Sequence, residues 1–171
     1  LAIRCADINE DRLLTTDFDG VIFPGGYSYG YKLELGAMGG EKVKSFASSG
    51  GGVLGICAGS YYLTKNIVWE GKSYTYLDLF KGRDIGPLND IAGWPSYALT
   101  STYINDAVIG ITNTNQTQLY YGGGYKENLS ASNATTVATY SYNGTYAGLP
   151  NAVRFMYGFG HVLLIGTHPE S

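Results

Sequence analysis

Cys57 stands in Gly55-Ile56-Cys57-Ala58-Gly59, after the apolar pair Val53-Leu54 and before a helix-like stretch from Ser60 to Lys65. A cysteine at a strand-to-helix junction with small neighbours is the sulfur counterpart of a nucleophile elbow. The small residues let the turn close, and the turn pushes the side chain out at the end of the strand. The helix beginning there sets a partial positive charge near the sulfur, which is expected to favour thiolate. A buried cysteine closing a strand is also common, so the pattern needs partners elsewhere in the chain.

An elbow cysteine needs a base, and the chain has two histidines. His161, in Gly158-Phe159-Gly160-His161-Val162, reads as a turn histidine entering a strand. His168 follows the apolar run Val162 to Ile165, which puts it at a strand's carboxyl end. Pro169 cannot continue a central strand, so the chain must turn there. The Glu170 carboxylate can then hold one ring nitrogen of His168 while the other faces the thiol, a nucleophile–base–orienter arrangement. Acyl transfer through such a group also needs donors for the developing oxyanion. The backbone N–H of Ala58 is supplied by the elbow, and a second is expected from Gly26, after Phe23-Pro24-Gly25. Each donor is worth ~3 kcal/mol. Tyr27, Ser28, Tyr29, Ser60, Tyr61 and Tyr62 are the candidate substrate-pocket residues, although tyrosines also serve packing and surface hydrogen bonding.

The elements that must position these groups read as strand and helix in alternation. Ala2 to Ala6 is a strand candidate, and Asn9 to Leu14 a short helix capped by Asp7 or Asn9. Gly20 to Pro24 is a buried strand. Leu33 to Ser49 holds a helix with Val43, Phe46 and Ala47 inward, and Val53 to Cys57 is the next strand. Strands separated by helices imply a parallel sheet, whose sites lie at the carboxyl ends of its strands. Gly25-Gly26 and Cys57 both fall there. Beyond them, Ile67 to Tyr76 reads as a hairpin around Glu70-Gly71, and 78–91 as loop. Strand candidates follow at 98–104, 107–112, 117–122, 134–142, 145–148, 152–157 and 161–166. Asn143-Gly144 signals a two-residue hairpin turn, and Gly122-Gly123-Gly124 a break or a close backbone approach.

The 171 residues suffice for one domain with a substantial core. The formal charge of −3, with 11 scattered basic residues, gives no nucleic-acid surface. No apolar run approaches the ~20 residues of a membrane helix, and no signal peptide is visible. Cys5 and Cys57 form neither a disulfide framework nor part of a metal-ligand set, and no cofactor is indicated. Four Asn-x-Ser/Thr sequons start at Asn115, Asn128, Asn133 and Asn143, where chance gives roughly one or two. Their excess points to export; a polar, β-rich surface explains it as well, so cytoplasm and exterior both stay open.

At Phe23-Pro24-Gly25-Gly26, Gly55-Ile56-Cys57-Ala58-Gly59 and His168-Pro169-Glu170, in this order, the chain resembles the class I glutamine amidotransferase-like superfamily. The resemblance implies a single domain over 1–171 with a flavodoxin-like, mostly parallel α/β sheet, flanking helices and a Cys57–His168–Glu170 triad. It also implies that the usual first strand–helix unit lies upstream of Leu1. Pro24-Gly25-Gly26-Tyr27-Ser28-Tyr29-Gly30 resembles the glutaminase component of phosphoribosylformylglycinamidine synthase. Glutaminases, however, carry a Gln shortly after the elbow, where this chain has Ser60-Tyr61-Tyr62. Cys57-Ala58-Gly59-Ser60-Tyr61-Tyr62, Leu79-Phe80-Lys81-Gly82 with Gly86-Pro87, and the closing His168-Pro169-Glu170 look more like the domain at the N-terminus of eukaryotic biotin–protein ligases, which also occurs alone in prokaryotes. Ligase activity belongs to a separate domain, and Lys81-Gly82-Arg83 is no substitute for its adenylate loop. The expected activities are a cysteine-dependent hydrolase or amidotransferase acting on an amide-type carbonyl, a non-catalytic small-ligand or regulatory domain, or a glutaminase subunit with a synthase partner.

Overall fold

The computed structural model describes residues 2–171. Three strands carry the site: β1 (Gly20–Phe23), β2 (Gly52–Ile56) and β11 (Gly160–Ile165). β2 lies between the other two and runs parallel to both, pairing Phe23 with Gly55 and Ile56 with Ile165. The carboxyl ends of the three strands therefore share one edge. β10 (Pro150–Tyr157), β9 (Thr135–Tyr140), β6 (Ala98–Asp106) and β7 (Ile111–Tyr120) extend this sheet antiparallel, in the order β1-β2-β11-β10-β9-β6-β7. The α/β class expected from the sequence holds, with parallel pairing in this sheet concentrated in the trio and the β-rich half joined to it. A second sheet has the order β4-β3-β5-β8, from β3 (Thr64–Trp69), β4 (Lys72–Thr75), β5 (Phe80–Gly86) and β8 (Tyr125–Glu127).

α2 (Ser28–Ser48) and α3 (Ala58–Leu63) pack on the parallel trio. Val43, Phe46 and Ala47 of α2 are buried, as their spacing predicts. They join Phe23, Val53, Leu63, Val162 and Leu164 in the main core. α2 starts earlier than expected and is kinked at Gly36, whose φ of 60° and ψ of −163° interrupt the helix. An open apolar groove of about 500 Å³, lined in part by Ile22, Leu54 and Leu163, includes none of the expected site residues.

Six sequence expectations are corrected. The strand at Ala2–Ala6 and the helix at Asn9–Leu14 give way to one helix, α1 (Cys5–Asn9). Asp7 works from inside its first turn, accepting the Arg4 backbone N–H at 2.8 Å, and Asp11 is left-handed at φ 60°. Segment 78–91 contains β5, whose alternating burial marks a strand although Gly82 and Gly86 suggest loop. Residues 107–110 form a turn, because the Asp106 carboxylate accepts the N–H groups of Val108 (2.8 Å) and Ile109 (3.0 Å). Asn143-Gly144 lies within a longer β9–β10 connection, and 145–148 is turn rather than strand. There Asp90 accepts the Tyr142 hydroxyl at 2.7 Å and the Thr145 N–H.

Candidate active site

Cys57 follows β2 directly and precedes α3, with φ 50° and ψ −105°. A non-glycine residue held at positive φ is strained, and strain of this kind persists where packing enforces it. The enforcement is visible on both sides. The Cys57 N–H donates to the Ile165 carbonyl at 2.9 Å. Gly59 presses so closely on β1 that a Cβ there would overlap the Phe23 carbonyl.

The sulfur is buried at 7% exposure. Its thiol donates to the Tyr121 carbonyl at 3.3 Å. Burial pushes the Cys57 thiol up to about 12, against the opposing pull of the Ala58 backbone N–H. The expectation of a thiolate favoured by the helix start is thereby corrected: α3 is only 6 residues long, and desolvation outweighs its donors.

His168 sits beyond β11, held by its N–H to the Leu119 carbonyl at 2.8 Å. Its Nδ1 lies 2.8 Å from Glu170 Oε1. Its Nε2 is buried and has no hydrogen-bond partner among the described residues. Since the thiol bonds Tyr121, Cys57 and His168 are not hydrogen-bonded to each other in this conformation. The ring lies against Gly25, where a Cβ would come within 2.5 Å of Cε1. Pro24-Gly25-Gly26, the elbow and His168 thus meet at the shared edge of β1, β2 and β11. Gly26 has φ 136° and open space where a side chain would be.

The expected pocket residues divide. Tyr27 and Tyr29 are exposed and Ser28 half-buried. Ser60, Tyr61 and Tyr62 are buried, which corrects their assignment to a pocket wall. The Ser60 hydroxyl donates to Asp84 Oδ2 at 2.7 Å, and Tyr61 to the Gly122 carbonyl at 3.1 Å. Tyr62 packs against Phe23 and Tyr31. Consecutive helical residues point in different directions, and these three are all buried because α3 is enclosed on every side.

What sequence reasoning missed is the segment facing the elbow. Three hydroxyls hold consecutive carbonyls there: Tyr61 on Gly122, Tyr120 on Gly123 (2.9 Å) and Tyr140 on Gly124 (2.9 Å). The glycine triplet was the available signal, and it does mark a close backbone approach, with Gly123 against Gly166. Above it run Trp69, Trp94 and Tyr121, with ring centroids 5.2 and 5.0 Å apart. Trp94, Tyr97 and Tyr121 are partly or largely exposed.

Burial of the thiol predicts alkaline weakening. The folded chain retains the thiol proton while the unfolded chain loses it above about pH 8.5, so stability falls as pH rises through that point toward 12. Between pH 8 and 10 the wild type should lose about 2 kcal/mol more than Cys57→Ala, measured by urea unfolding at each pH. Equal losses would refute the assignment.

Comparison with known proteins places this geometry. A glutamine amidotransferase crystal structure superposes with a TM-score of 0.64 at 20% identity, covering 89% of this chain and 71% of that one. The structure of PurLQS from Thermotoga maritima superposes with 0.59 at 18% identity, covering 90% and 70%. The chain shares the fold of these glutamine amidotransferase structures. It belongs to the family described as biotin-protein ligase, N terminal, which matches residues 14–171. Among curated relatives, phosphoribosylformylglycinamidine synthase subunit PurQ of Rhodospirillum rubrum is 40% identical over 83 residues, 45% of this chain and 36% of that protein. The chain thus aligns with only about a third of that relative's length. No helix among the described residues is long and apolar enough to cross a membrane. All four sequon asparagines are exposed.

Proposed function

We propose that the protein is a cysteine-dependent amidotransferase or hydrolase acting on an amide-type carbonyl, with Cys57 as nucleophile, His168 as base and Glu170 as its orienter. The supporting observation is the state of His168: one ring nitrogen is held by Glu170 at 2.8 Å, and the other is buried and unpartnered beside the elbow. An imidazole so arranged has a fixed tautomer and a nitrogen left over for a proton. In the proposed cycle the Cys57 thiol turns from the Tyr121 carbonyl and the S–H proton passes to His168 Nε2, leaving the thiolate. The thiolate then attacks the carbonyl carbon. Gly26 and Ala58 N–H groups receive the oxyanion. His168 returns the proton to the departing amine, leaving a thioester, and then deprotonates a water or an acceptor amine that releases the acyl group.

The test is acylation of Cys57. A panel of activated esters and primary amides, glutamine included, is incubated with the protein, and intact mass reports adducts. An acyl adduct is expected on the wild type and none at that position in Cys57→Ser. Absence of any adduct across the panel would overturn the proposal.

A second reading, a ligand-binding domain without turnover, draws on the resting thiol, which is protonated and bonded to a carbonyl, and on the exposed aromatic surface of Trp94, Tyr97 and Tyr121. A glutaminase subunit with a synthase partner draws on the PurQ relatives; the missing Gln after Tyr62 weighs against it.

A further inference from the structure

Asp84 and Lys126 are a carboxylate and an ammonium sealed in the interior, with side chains 1% and 0% exposed and 3.0 Å apart. Lys126 Nζ faces Asp84 Oδ2, while Asp84 Oδ1 has no hydrogen-bond partner among the described residues. Burying such a pair gains little stability, because desolvation offsets the attraction, and apolar residues of similar volume commonly serve as well. Its position offers a different reason. Asp84 Oδ2 accepts the Ser60 hydroxyl of the elbow helix at 2.7 Å. Asp84 Oδ1 lies against Gly124, in the segment whose Tyr121 carbonyl takes the thiol. Lys126 lies on β8, which that segment leads into.

We propose that Asp84 and Lys126 are a positioning pair for Cys57: Asp84 is bonded through Ser60 to the elbow helix and packs against Gly124 of the segment that holds the thiol, Lys126 fixes Asp84, and together they set the charge around the sulfur. The inference rests on reading Cys57 as the nucleophile, yet its consequence is read in thiol chemistry whether or not an amide is turned over. The charges bear on the sulfur with opposite sign, Asp84 disfavouring the thiolate and Lys126 favouring it. Glu170, His168, Tyr31, Tyr61, Tyr120 and Tyr140 also face this region and are unchanged in the variants below.

The experiment measures iodoacetamide alkylation of Cys57 at pH 8 in a Cys5→Ser background, with melting temperature followed in parallel. Only thiolate reacts, so a tenfold rate change reports about one unit in thiol acidity. Asp84→Asn is expected to speed alkylation about tenfold, Lys126→Met to slow it about tenfold, and Lys126→Arg to restore it. A merely structural pair would move both single variants in the same direction, in step with lost stability, and that result overturns the proposal. If the charge variants do not fold, Ser60→Ala decides: removing only the link should change the rate at least threefold, and an unchanged rate overturns the proposal.

Discussion

Gly59→Ala is expected to be among the most damaging single substitutions, lowering stability by about 3 kcal/mol or more and suppressing Cys57 chemistry with it. The added methyl would overlap the carbonyl of Phe23, whose carbon would stand 2.6 Å away. That carbonyl belongs to β1, fixed parallel to β2 by the pairing of Phe23 with Gly55. Neither partner can yield as a flexible side chain would, so α3 must lift from the sheet. Lifting it moves Ala58, whose N–H is an expected oxyanion donor, and Ser60, which is bonded to Asp84. Urea unfolding and Cys57 acylation should therefore fail together. A variant with native stability and native acylation would show that the elbow does not depend on this contact.

Removing the imidazole should have the largest effect on chemistry at unchanged fold. His168→Ala is expected to slow acylation of Cys57 by about 10²–10⁴-fold, the usual contribution of a positioned base. The thiol, pushed up to about 12 by burial, has little thiolate of its own near neutral pH and depends on a neighbour to take its proton. Glu170→Gln should cost less, since its side chain is 46% exposed and water can stand in for part of its contact. Stopped-flow acylation by an active ester checks both variants. Equal rates in His168→Ala and wild type would refute the role of the ring.

The parts of this site that were readable in the sequence share a cause. Cys57, Gly26 and His168 each follow an apolar run, and the sheet brings run ends together whatever lies between them. Tyr121 was unreadable in its role because it acts through a backbone carbonyl, which every residue has. Asp84 sat in a glycine-bearing stretch that resembles loop, and its strand character shows only once β3 and β8 flank it. Nothing in the sequence sets Lys126 apart, since a lysine usually lies at the surface. The helix at Cys5–Asn9 was hidden by its shortness, its start decided by one carboxylate, Asp7, rather than by a repeating pattern.

The carbonyl of Tyr121 has one more consequence. Peroxide and other mild oxidants attack ionised sulfur, and the first product, a sulfenic acid, forms in proportion to that ionised fraction. A sulfhydryl tethered to an amide oxygen and shielded from solvent escapes such damage while idle. Peroxide is therefore expected to convert Cys57 to its sulfenic acid more slowly than it does a free cysteine, as intact mass after timed exposure would show.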